Sequence, residues 1–494
     1  MSLILPTALL LSFPSTTAGS LETSQSARTR SIVKRIDALL ANEFSANQPG
    51  GVVMVAIKGK PLFRRAYGLA DLELKIPMRP DSVLRIGSIT KQFTAVAILK
   101  LVEQGKLTLV DDVRTYVPRL LPDGEKITIE QVLTHTSGLP NLVDLKDFEK
   151  LARQDYKVEE LLALTKDQPN HFPPGQGFKY SDTGYILLGA VIERATGLSY
   201  GEYLETQIFR PLGMSDTYYG DDRRVIPRHA RGYSFEGGKV INAGHISMSV
   251  PHAAGALVST VDDLLLWDNA LRSGLIVRKE LLERGWQPRT LPDGTHSGYG
   301  FGWKICSFEG HRTIEHGGWI NGFGSKAIRF PDDDLSVIVL VNNDGDRPDA
   351  GFIARRVSKL ILTGSDELSE RQLTAAQKES LVGRYRLSRD GILAIRERDG
   401  HLYYQRGSEP PERLVALSPT TLSFARGDRT FLFNFDFRQD GRAQRVRTTL
   451  SCEPVATGER FESAAPHWCI SATLRFNDTC SLTTDTQVRI VQCH

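Results

Sequence analysis

The chain lacks several features that would mark a specialised class of protein. Beyond its N-terminus it has no long apolar run, so we expect no stable membrane span. It carries 61 Lys and Arg against 58 Asp and Glu, a net charge of only +3, and no dense basic stretch interleaves with aromatics. We therefore expect no nucleic-acid partner. With 40% hydrophobic and 24% charged residues, the 494-residue chain has an ordinary globular composition, and its length predicts two or three domains.

Cysteine is also scarce, and four of the five lie close to the C-terminus. Cys452, Cys469, Cys480 and Cys493 can form two disulfides in an oxidising compartment, with three possible pairings. Cys306 stands apart, and we expect it to be an inert buried thiol. The tail cysteines lack the paired close spacing of a zinc site, and histidine pairs at ligand spacing are absent. No glycine-rich phosphate-binding loop occurs. The sequence therefore predicts no metal and no cofactor.

The N-terminus contains a short apolar run at residues 3–11, followed by small residues. This run is too short to cross a bilayer comfortably and is typical of a secretory signal, although the usual positive residues before it are missing. We predict a signal peptide over residues 1–19, with cleavage near Ala18. The expected location is then periplasmic or extracellular.

The chain does contain a serine three residues before a lysine, at Ser88 and Lys91, where an apolar segment begins. On a helix such residues share one face, so the hydroxyl and the amine can come within hydrogen-bonding distance. A serine hydroxyl is a weak nucleophile at neutral pH and needs an adjacent base. Lysine is a base only when its pKa falls, and the apolar residues 93–99 predict the burial that lowers it. Gly105 is the expected C-terminal stop of this helix.

The same spacing recurs at Ser31 and Lys34. There the surrounding pattern predicts an amphipathic surface helix that Ser31 caps, with a solvated lysine and no chemistry. Spacing alone therefore does not single out Ser88, and the motifs that follow it are needed.

Two such motifs follow Ser88 in the chain. Tyr180 lies in a predicted loop just before an apolar helix that begins near residue 184. A tyrosine beside a lysine can carry a proton to a leaving group or to water. His316, Gly317 and Gly318 lie in a predicted strand, where glycines mark either a bulge or a close backbone approach by a ligand. A substrate acyl group could then lie along that strand.

Together these motifs resemble the class C β-lactamase-related serine hydrolases, the penicillin-recognising family. That family includes D-alanyl-D-alanine carboxypeptidases, D-aminopeptidases and esterases. The similarity runs over residues 32–362 and implies an α+β fold: an antiparallel sheet flanked by helices, with a helical subdomain and the active site in the cleft between them. The motifs that carry it, besides those above, lie at residues 50–53, 67–71, 85–91, 134–138, 211–214, 256–264 and 298–303.

The resemblance implies a role for each matching position. Ser88 matches the acylated nucleophile, Lys91 its partner base and Tyr180 the tyrosine that relays protons. The oxyanion hole would be the backbone N–H groups of Ser88 and Trp319, and each such donor contributes roughly a few kcal/mol. His316 stands where β-lactamases carry the lysine of a Lys-Thr-Gly motif.

Two departures from the family pattern narrow the expected substrates. The tyrosine motif usually ends in asparagine, but here it ends in Asp182, which can only accept hydrogen bonds and favours the charged form of Lys91. A mostly neutral His316 attracts a substrate carboxylate less than a lysine does. We therefore expect small esters or amides, including D-amino-acid amides and short peptides, with Asp182 receiving a free amine. The alternatives are a β-lactamase or D-alanyl-D-alanine carboxypeptidase, and a non-catalytic sensor of cell-wall fragments.

The last third of the chain changes character. Residues 363–378 read as a linker. Short alternating segments separated by Asp-Gly turns follow over residues 379–450, which predicts a small antiparallel β-barrel that resembles the lipocalin-like C-terminal domain of some family members. Residues 451–494 form a cysteine-containing tail for which no structure is predicted. An oligomer is possible.

Overall fold

The computed structural model describes eleven stretches of the chain. They are residues 18–118, 124–294, 296–345, 348–365, 372–387, 391–406, 411–418, 421–426, 429–438, 442–450 and 453–460. Most of the predicted signal peptide and the four tail cysteines lie outside these residues.

Thirteen α-helices occur in the described residues. In chain order they are α1 (Ala18–Glu43), α2 (Thr90–Glu103), α3 (Ile129–Leu133), α4 (Phe148–Leu151), α5 (Val158–Ala163), α6 (Asp182–Thr196), α7 (Tyr200–Leu204), α8 (Arg210–Leu212), α9 (His252–Gly255), α10 (Val261–Ser273), α11 (Lys279–Gly285), α12 (Ala350–Thr363) and α13 (Ala375–Leu381).

The same residues contain twenty-two strands. They are β1 (Gly51–Ile57), β2 (Lys60–Tyr67), β3 (Leu69–Asp71), β4 (Ile76–Pro77), β5 (Leu84–Arg85), β6 (Tyr218–Tyr219), β7 (Tyr233–Glu236), β8 (Lys239–Asn242), β9 (Leu257–Ser259), β10 (Lys304–Phe308), β11 (His311–Ile320), β12 (Phe323–Phe330), β13 (Leu335–Val341), β14 (Gly383–Leu387), β15 (Gly391–Arg398), β16 (His401–Arg406), β17 (Glu412–Arg413), β18 (Val415–Ser418), β19 (Thr421–Arg426), β20 (Arg429–Phe437), β21 (Ala443–Leu450) and β22 (Glu453–Arg460).

A six-stranded antiparallel sheet forms the centre of the first 363 residues, in the order β10-β11-β12-β13-β1-β2. One face packs against α1 and α12 through a core that includes Ile36, Val53 and Ile353. The other face shares a larger core with α2, α6 and α10, to which Phe93 and Leu188 belong. The α+β architecture predicted from the sequence is confirmed, because helices cover both faces of one antiparallel sheet.

The helix that follows Ser88 is buried on nearly every side, as its apolar sequence predicts. Ser88 itself lies on a 3₁₀ turn, Gly87–Ile89, directly before α2. The helix ends at Glu103, and Gly105 adopts the left-handed conformation (φ 68°) expected of a C-terminal stop. The alternative pair, Ser31 and Lys34, lies on α1 with both side chains exposed, which confirms the surface helix and the solvated lysine. The predicted cap at Ser31 is wrong, because α1 begins at Ala18 and Ser31 lies in its interior.

The C-terminal part forms a nine-stranded antiparallel sheet, in the order β17-β16-β15-β14-β22-β21-β20-β19-β18. Its edge strands β17 and β18 are separated in the chain by one residue, the buried Leu414. No hydrogen-bonded ladder joins β17 to β18 among the described strands, so closure into the predicted barrel stays a prediction.

Two details of the C-terminal part differ from the sequence expectation. The strand array continues past residue 450 to Arg460, because β22 pairs with both β21 and β14. Residues 375–378 of the predicted linker belong to α13, whose start is stabilised by a capping box between Thr374 and Gln377.

Cys306 is buried, as expected, but the expected free thiol is wrong, because this residue is disulfide-bonded. Its sequence neighbourhood contains no cysteine, so a local reading could not reveal the bond. The predicted pairing among the other four cysteines lies outside the described residues. Among the helices that are described, none combines the length and the apolar character needed to cross a bilayer.

Candidate active site

The site begins where strand β11 loses its neighbour on one side. The ladder between β10 and β11 ends with Lys304 opposite Glu315. From His316 onward, no described strand pairs with that side of β11. Of the two glycines beyond Glu315, Gly317 lines the cleft, whereas Gly318 makes a close approach to the protein's own backbone. Close approach by a ligand stays a prediction.

The turn that carries Ser88 packs tightly against this part of β11. A Cβ atom at Gly318 would lie 2.0 Å from the carbonyl oxygen of Ile86, so only glycine fits there. The Ser325 hydroxyl on β12 donates to the same carbonyl at 2.8 Å. Gly87 has a positive φ of 49°, and a Cβ at Gly87 would lie 3.0 Å from the Trp319 amide nitrogen. The backbone of Trp319 is thereby held beside the turn that contains Ser88.

Lys91 has three hydrogen-bonding partners, and their chemistry fixes the direction of its lone pair. Its Nζ atom lies 2.7 Å from Asp182 Oδ1, 2.8 Å from the Ala254 carbonyl oxygen and 3.1 Å from Ser88 Oγ. A carboxylate and a carbonyl can only accept, so they take two N–H groups. A neutral amine has only two N–H groups, and its lone pair then points at the Ser88 hydroxyl. The geometry therefore suits an amine that accepts the serine proton.

The environment of Lys91 makes this neutral form more accessible than it is for a lysine in water. Its side chain is fully buried, and loss of hydration lowers its pKa below the ordinary value near 10.5. The Asp182 carboxylate opposes this shift, and the nearby Lys304 charge adds to it. Asp182 does favour the ammonium form, as expected from the sequence, but burial has the larger effect and the net pKa shift is downward.

Tyr180 is held at the site by the loop that contains His135. The backbone N–H of Lys179 donates to the His135 carbonyl at 3.0 Å, and the N–H of Ser181 donates to His135 Nδ1 at 3.1 Å. The two residues that flank Tyr180 are thus tied to one histidine, whose ring lies 4.3 Å from the Tyr180 ring. The Nζ atom of Lys91 lies 4.8 Å from the centre of the Tyr180 ring, so the base and the phenol are close neighbours.

His135 is itself buried and unusual in its backbone. Its φ is +58°, in the left-handed region that side chains rarely adopt. Burial lowers its pKa well below the ordinary range, with the Lys91 charge as a second cause, so the ring is neutral. Because Nδ1 accepts from Ser181, the proton of a neutral ring lies on Nε2.

His316 is also neutral and belongs to a second hydrogen-bonded pair. Burial lowers its pKa well below the ordinary value, and the charges of Lys304 and Lys91 lower it further. Its Nδ1 lies 2.5 Å from the Gly317 carbonyl oxygen, which can only accept, so Nδ1 carries the proton. Nε2 then accepts from the Tyr299 hydroxyl at 2.8 Å. His316 therefore brings no positive charge to the site, in line with the sequence expectation.

Asp182 begins α6 and faces both the base and the open space. The preceding Ser181 caps the helix by accepting from the Gly184 amide, and Asn141 accepts from the Asp182 amide at 2.9 Å. One carboxylate oxygen of Asp182 contacts Lys91, and about a quarter of the side chain remains exposed. Asp182 thus has room for a cationic ligand group on its exposed side.

Several of these groups line one cleft of about 1660 Å³ between the sheet and the helices. Of the residues predicted from the sequence, the cleft lining includes Ser88, Tyr180, Asp182, His316, Gly317 and Trp319. Lys91 lies behind Ser88, and Gly318 packs under the turn. Within the described ranges, no three metal-ligating side chains cluster.

Sequence reasoning missed three residues of this site. His135 and Tyr299 lie in motifs that carried the family resemblance, the His-Thr-Ser-Gly loop and residues 298–303, but no role was assigned to either. Lys304 follows the second motif, lines the cleft and acts electrostatically on Lys91, His135 and His316. The loop motif could have indicated His135, whereas the position of Lys304 depends on where β10 begins.

Known proteins are similar to this chain in both sequence and architecture. A family model described as "Beta-lactamase" matches residues 32–360. Penicillin-binding protein 4* of Bacillus subtilis (strain 168) is 29% identical over 388 residues, which cover 73% of this chain and 84% of that protein.

Two solved structures illustrate the range of similar folds. The octameric penicillin-binding protein homologue from Pyrococcus abyssi has 26% identity and a TM-score of 0.61, and the match covers 86% of this chain and 99% of that chain. The D-amino acid amidase from Ochrobactrum anthropi SV3, complexed with D-phenylalanine, has 26% identity and a TM-score of 0.56, covering 68% of this chain and 96% of that chain.

Proposed function

The chain belongs to the β-lactamase family, and from that premise we propose that it is a serine hydrolase that cleaves small esters or amides through an acyl-enzyme at Ser88. The observation that carries the proposal is the geometry of Lys91. Its Nζ atom lies 2.7 Å from Asp182 Oδ1, 2.8 Å from the Ala254 carbonyl oxygen and 3.1 Å from Ser88 Oγ. In the neutral amine, the two obligate acceptors would take both N–H groups and the lone pair would face the Ser88 hydroxyl. A pure binding protein has no need of such an activated nucleophile.

The proposed reaction has two halves. Lys91 accepts the proton of Ser88 as Oγ attacks the substrate carbonyl carbon, and the backbone N–H groups of Ser88 and Trp319 stabilise the oxyanion. Tyr180 passes a proton to the leaving amine or alcohol as its bond to carbon breaks. The proton that Lys91 took from Ser88 restores Tyr180. Water then attacks the carbonyl carbon of the Ser88 ester and gives a proton to Lys91. The bond from that carbon to Ser88 Oγ breaks, Oγ takes the proton back, and the carboxylic acid is released.

We further propose that Asp182 selects substrates with a free amine near the scissile bond. Its carboxylate lines the cleft and is partly exposed, while His316 is neutral and offers no charge to a substrate carboxylate. Amides of D-amino acids and short peptides with a free N-terminus fit this arrangement. The likeness to a D-amino acid amidase supports the same substrate class.

A panel of three substrates tests this proposal. We expect hydrolysis of p-nitrophenyl butyrate and D-alanine p-nitroanilide, and little hydrolysis of nitrocefin. In Asp182→Asn, the preference should move away from the amine-bearing anilide and toward the β-lactam. Fast nitrocefin turnover by the natural protein, with both other substrates inert, would contradict the proposed substrate class.

One observation favours the alternative of a β-lactamase or D-alanyl-D-alanine carboxypeptidase. Lys304 lines the cleft, and its positive charge could attract a substrate carboxylate in place of the lysine that His316 replaces. The ester p-nitrophenyl hemisuccinate differs from p-nitrophenyl butyrate mainly by a terminal carboxylate. If Lys304 has this role, Lys304→Gln will reduce kcat/KM for the charged ester only. An equal effect on both esters removes the reason for this alternative.

Other properties of the chain remain proposals. We propose export, because the apolar N-terminus is typical of a signal peptide. We propose that the nine-stranded C-terminal sheet curls into a barrel, because its two edges are adjacent in the chain. We also propose an oligomer, since a structural neighbour is octameric.

A further inference from the structure

Trp319 is a large apolar side chain that remains exposed at the cleft. Its exposed fraction is 62%, whereas Trp267, Trp286 and Trp303 are at most 7% exposed. Exposure alone is not informative, since Leu74 and Leu275 are both 72% exposed on the outer surface. What distinguishes Trp319 is that it lines the same cleft as Ser88.

The indole ring of Trp319 is also fixed in place. Its Nε1–H donates to the Asp344 carbonyl oxygen at 3.0 Å. This bond satisfies the polar atom of the ring and restricts its rotation. A ring that is already ordered loses little conformational entropy when a ligand packs against it. An exposed and ordered tryptophan ring can pack against an apolar or aromatic group of a ligand.

The helical side of the cleft supplies further apolar surface. Val143 is 43% exposed, and Leu145 and Phe148 are half-buried with part of their surface toward the cleft. These residues follow Asn141, which accepts from the Asp182 amide, so the apolar segment is tied to the start of α6. The cleft therefore has apolar contributions from the sheet side and from the helical side.

The position of Trp319 relative to Ser88 indicates which part of a substrate reaches it. The Trp319 amide nitrogen lies 3.0 Å from the Cβ position of Gly87, the residue before Ser88. A carbonyl carbon bonded to Ser88 Oγ would therefore be close to the Trp319 backbone. The Trp319 side chain extends from that backbone and lines the cleft into which the group attached to the carbonyl would extend.

We propose that Trp319, with the apolar segment around Val143, forms a subsite for an aromatic or bulky apolar group next to the scissile carbonyl of the substrate. This inference rests on the proposed acylation of Ser88 and adds a preference that Asp182 does not supply. The proposed subsite does not require an amine in the substrate. Esters that lack an amine therefore test it independently of the role proposed for Asp182.

The first test compares p-nitrophenyl phenylacetate with p-nitrophenyl acetate, which share a leaving group. We expect the natural protein to prefer the phenylacetate. Trp319→Ala keeps the backbone N–H but should reduce the ratio of the two kcat/KM values by about tenfold, and Trp319→Phe should recover part of it. Leu275→Ala, which removes an exposed apolar side chain outside the cleft lining, should leave the ratio unchanged. Equal losses for both esters in Trp319→Ala would overturn the subsite.

The second test reports binding without turnover. In Ser88→Ala carrying Trp468→Phe, fluorescence quenching by acrylamide should come mainly from Trp319, because the other three tryptophans are buried. We expect phenylacetamide to protect Trp319 from acrylamide and acetamide to give no protection. Equal quenching with and without phenylacetamide would contradict the subsite. Protection in this variant, combined with the absence of a fluorophosphonate adduct at Ser88 of the natural protein, would support the subsite and contradict the proposed hydrolysis.

Discussion

At the scale of single residues, the decisive feature is the balance of charges around Lys91. Burial lowers its pKa, Asp182 raises it and Lys304 lowers it. The sequence already shows that Asp182 replaces the asparagine usual in the family, and this replacement places a carboxylate in contact with the base. The structure adds that burial outweighs it, because the lysine side chain has no exposed surface.

This balance predicts a shift in the pH dependence of Asp182→Asn. Removing the carboxylate removes a cause that raises the pKa of Lys91, so that pKa should fall further. We expect kcat/KM to rise with pH as Lys91 loses its proton. In Asp182→Asn this rise should therefore occur at lower pH. The measurement is the pH profile for p-nitrophenyl butyrate, an ester without an amine. A shift of this rise to higher pH would show that Lys91 is not the titrating base.

At the scale of elements, the loop motif around His135 positions the loop around Tyr180. Two backbone hydrogen bonds to His135, one to its carbonyl and one to its ring, fix the residues on either side of Tyr180. The sequence indicates a turn with several polar side chains at residues 134–138, but it does not show what that turn contacts. The contact joins segments about 45 residues apart, which no local pattern encodes.

We therefore predict that His135→Ala lowers kcat by roughly 100-fold, because small displacements of a catalytic group cost about that much. His135→Asn is the matched variant, since asparagine tolerates a positive φ and offers an acceptor oxygen near the position of Nδ1. It should recover a large part of kcat. The measurement is kcat and KM, determined separately, for the hydrolysis of p-nitrophenyl butyrate by each variant. Equal losses in the two variants would contradict the positioning role.

A buried charge cluster joins β11, β12 and α12 behind the site. Glu315 has no exposed surface and accepts from Lys326 at 3.0 Å and from Arg355 at 2.8 Å. The pKa of Glu315 is lowered to about 2: its own burial opposes this, but the charges of Arg355 and Lys326 outweigh it. This cluster holds the strand that contains His316 against the helix.

Glu315→Gln should reduce the free energy of unfolding at pH 7 by about 3–5 kcal/mol, because it leaves buried cations without a counter-charge. Because the folded-state pKa is depressed from 4.5 to about 2, the stabilisation is complete above pH 4.5 and is lost as pH falls toward 2. Urea unfolding across this pH range measures the effect, and the difference from the natural protein should shrink in acid. Glu236→Gln, on an exposed hairpin, is the control. A constant difference at every pH would contradict the ion-pair explanation.

At the scale of the whole molecule, the sequence predicted the architecture better than its long-range connections. Apolar periodicity and turns were enough to predict the β1–β2 hairpin, the helices after Ser88 and Tyr180, and the strands around His316. The extension of the C-terminal sheet to β22 was not predicted, because β22 pairs with β14, about 70 residues earlier. The disulfide at Cys306 was missed for the same reason: long-range pairing leaves no local signal.

The set of motifs along the chain was informative about the active site, because each motif lies at the margin of the same cleft. Ser88 comes from the start of α2, Tyr180 from the loop before α6, and His316 from β11. Roles implied for Ser88, Lys91 and Tyr180 by the family resemblance remain predictions, and the geometry supplies the physical reason to test them. The place of Lys304 at the site requires the folded cleft, because it depends on where β10 begins, and the exposed indole of Trp319 requires it because the sequence predicted only its backbone N–H.

The most direct test of the central claim is the intact mass of the protein after reaction with a fluorophosphonate, followed by peptide mapping. We predict a single adduct on the peptide that contains Ser88, and no adduct in Ser88→Ala, which should also fail to hydrolyse p-nitrophenyl butyrate. An adduct at another residue, or undiminished ester hydrolysis by Ser88→Ala, would contradict the account.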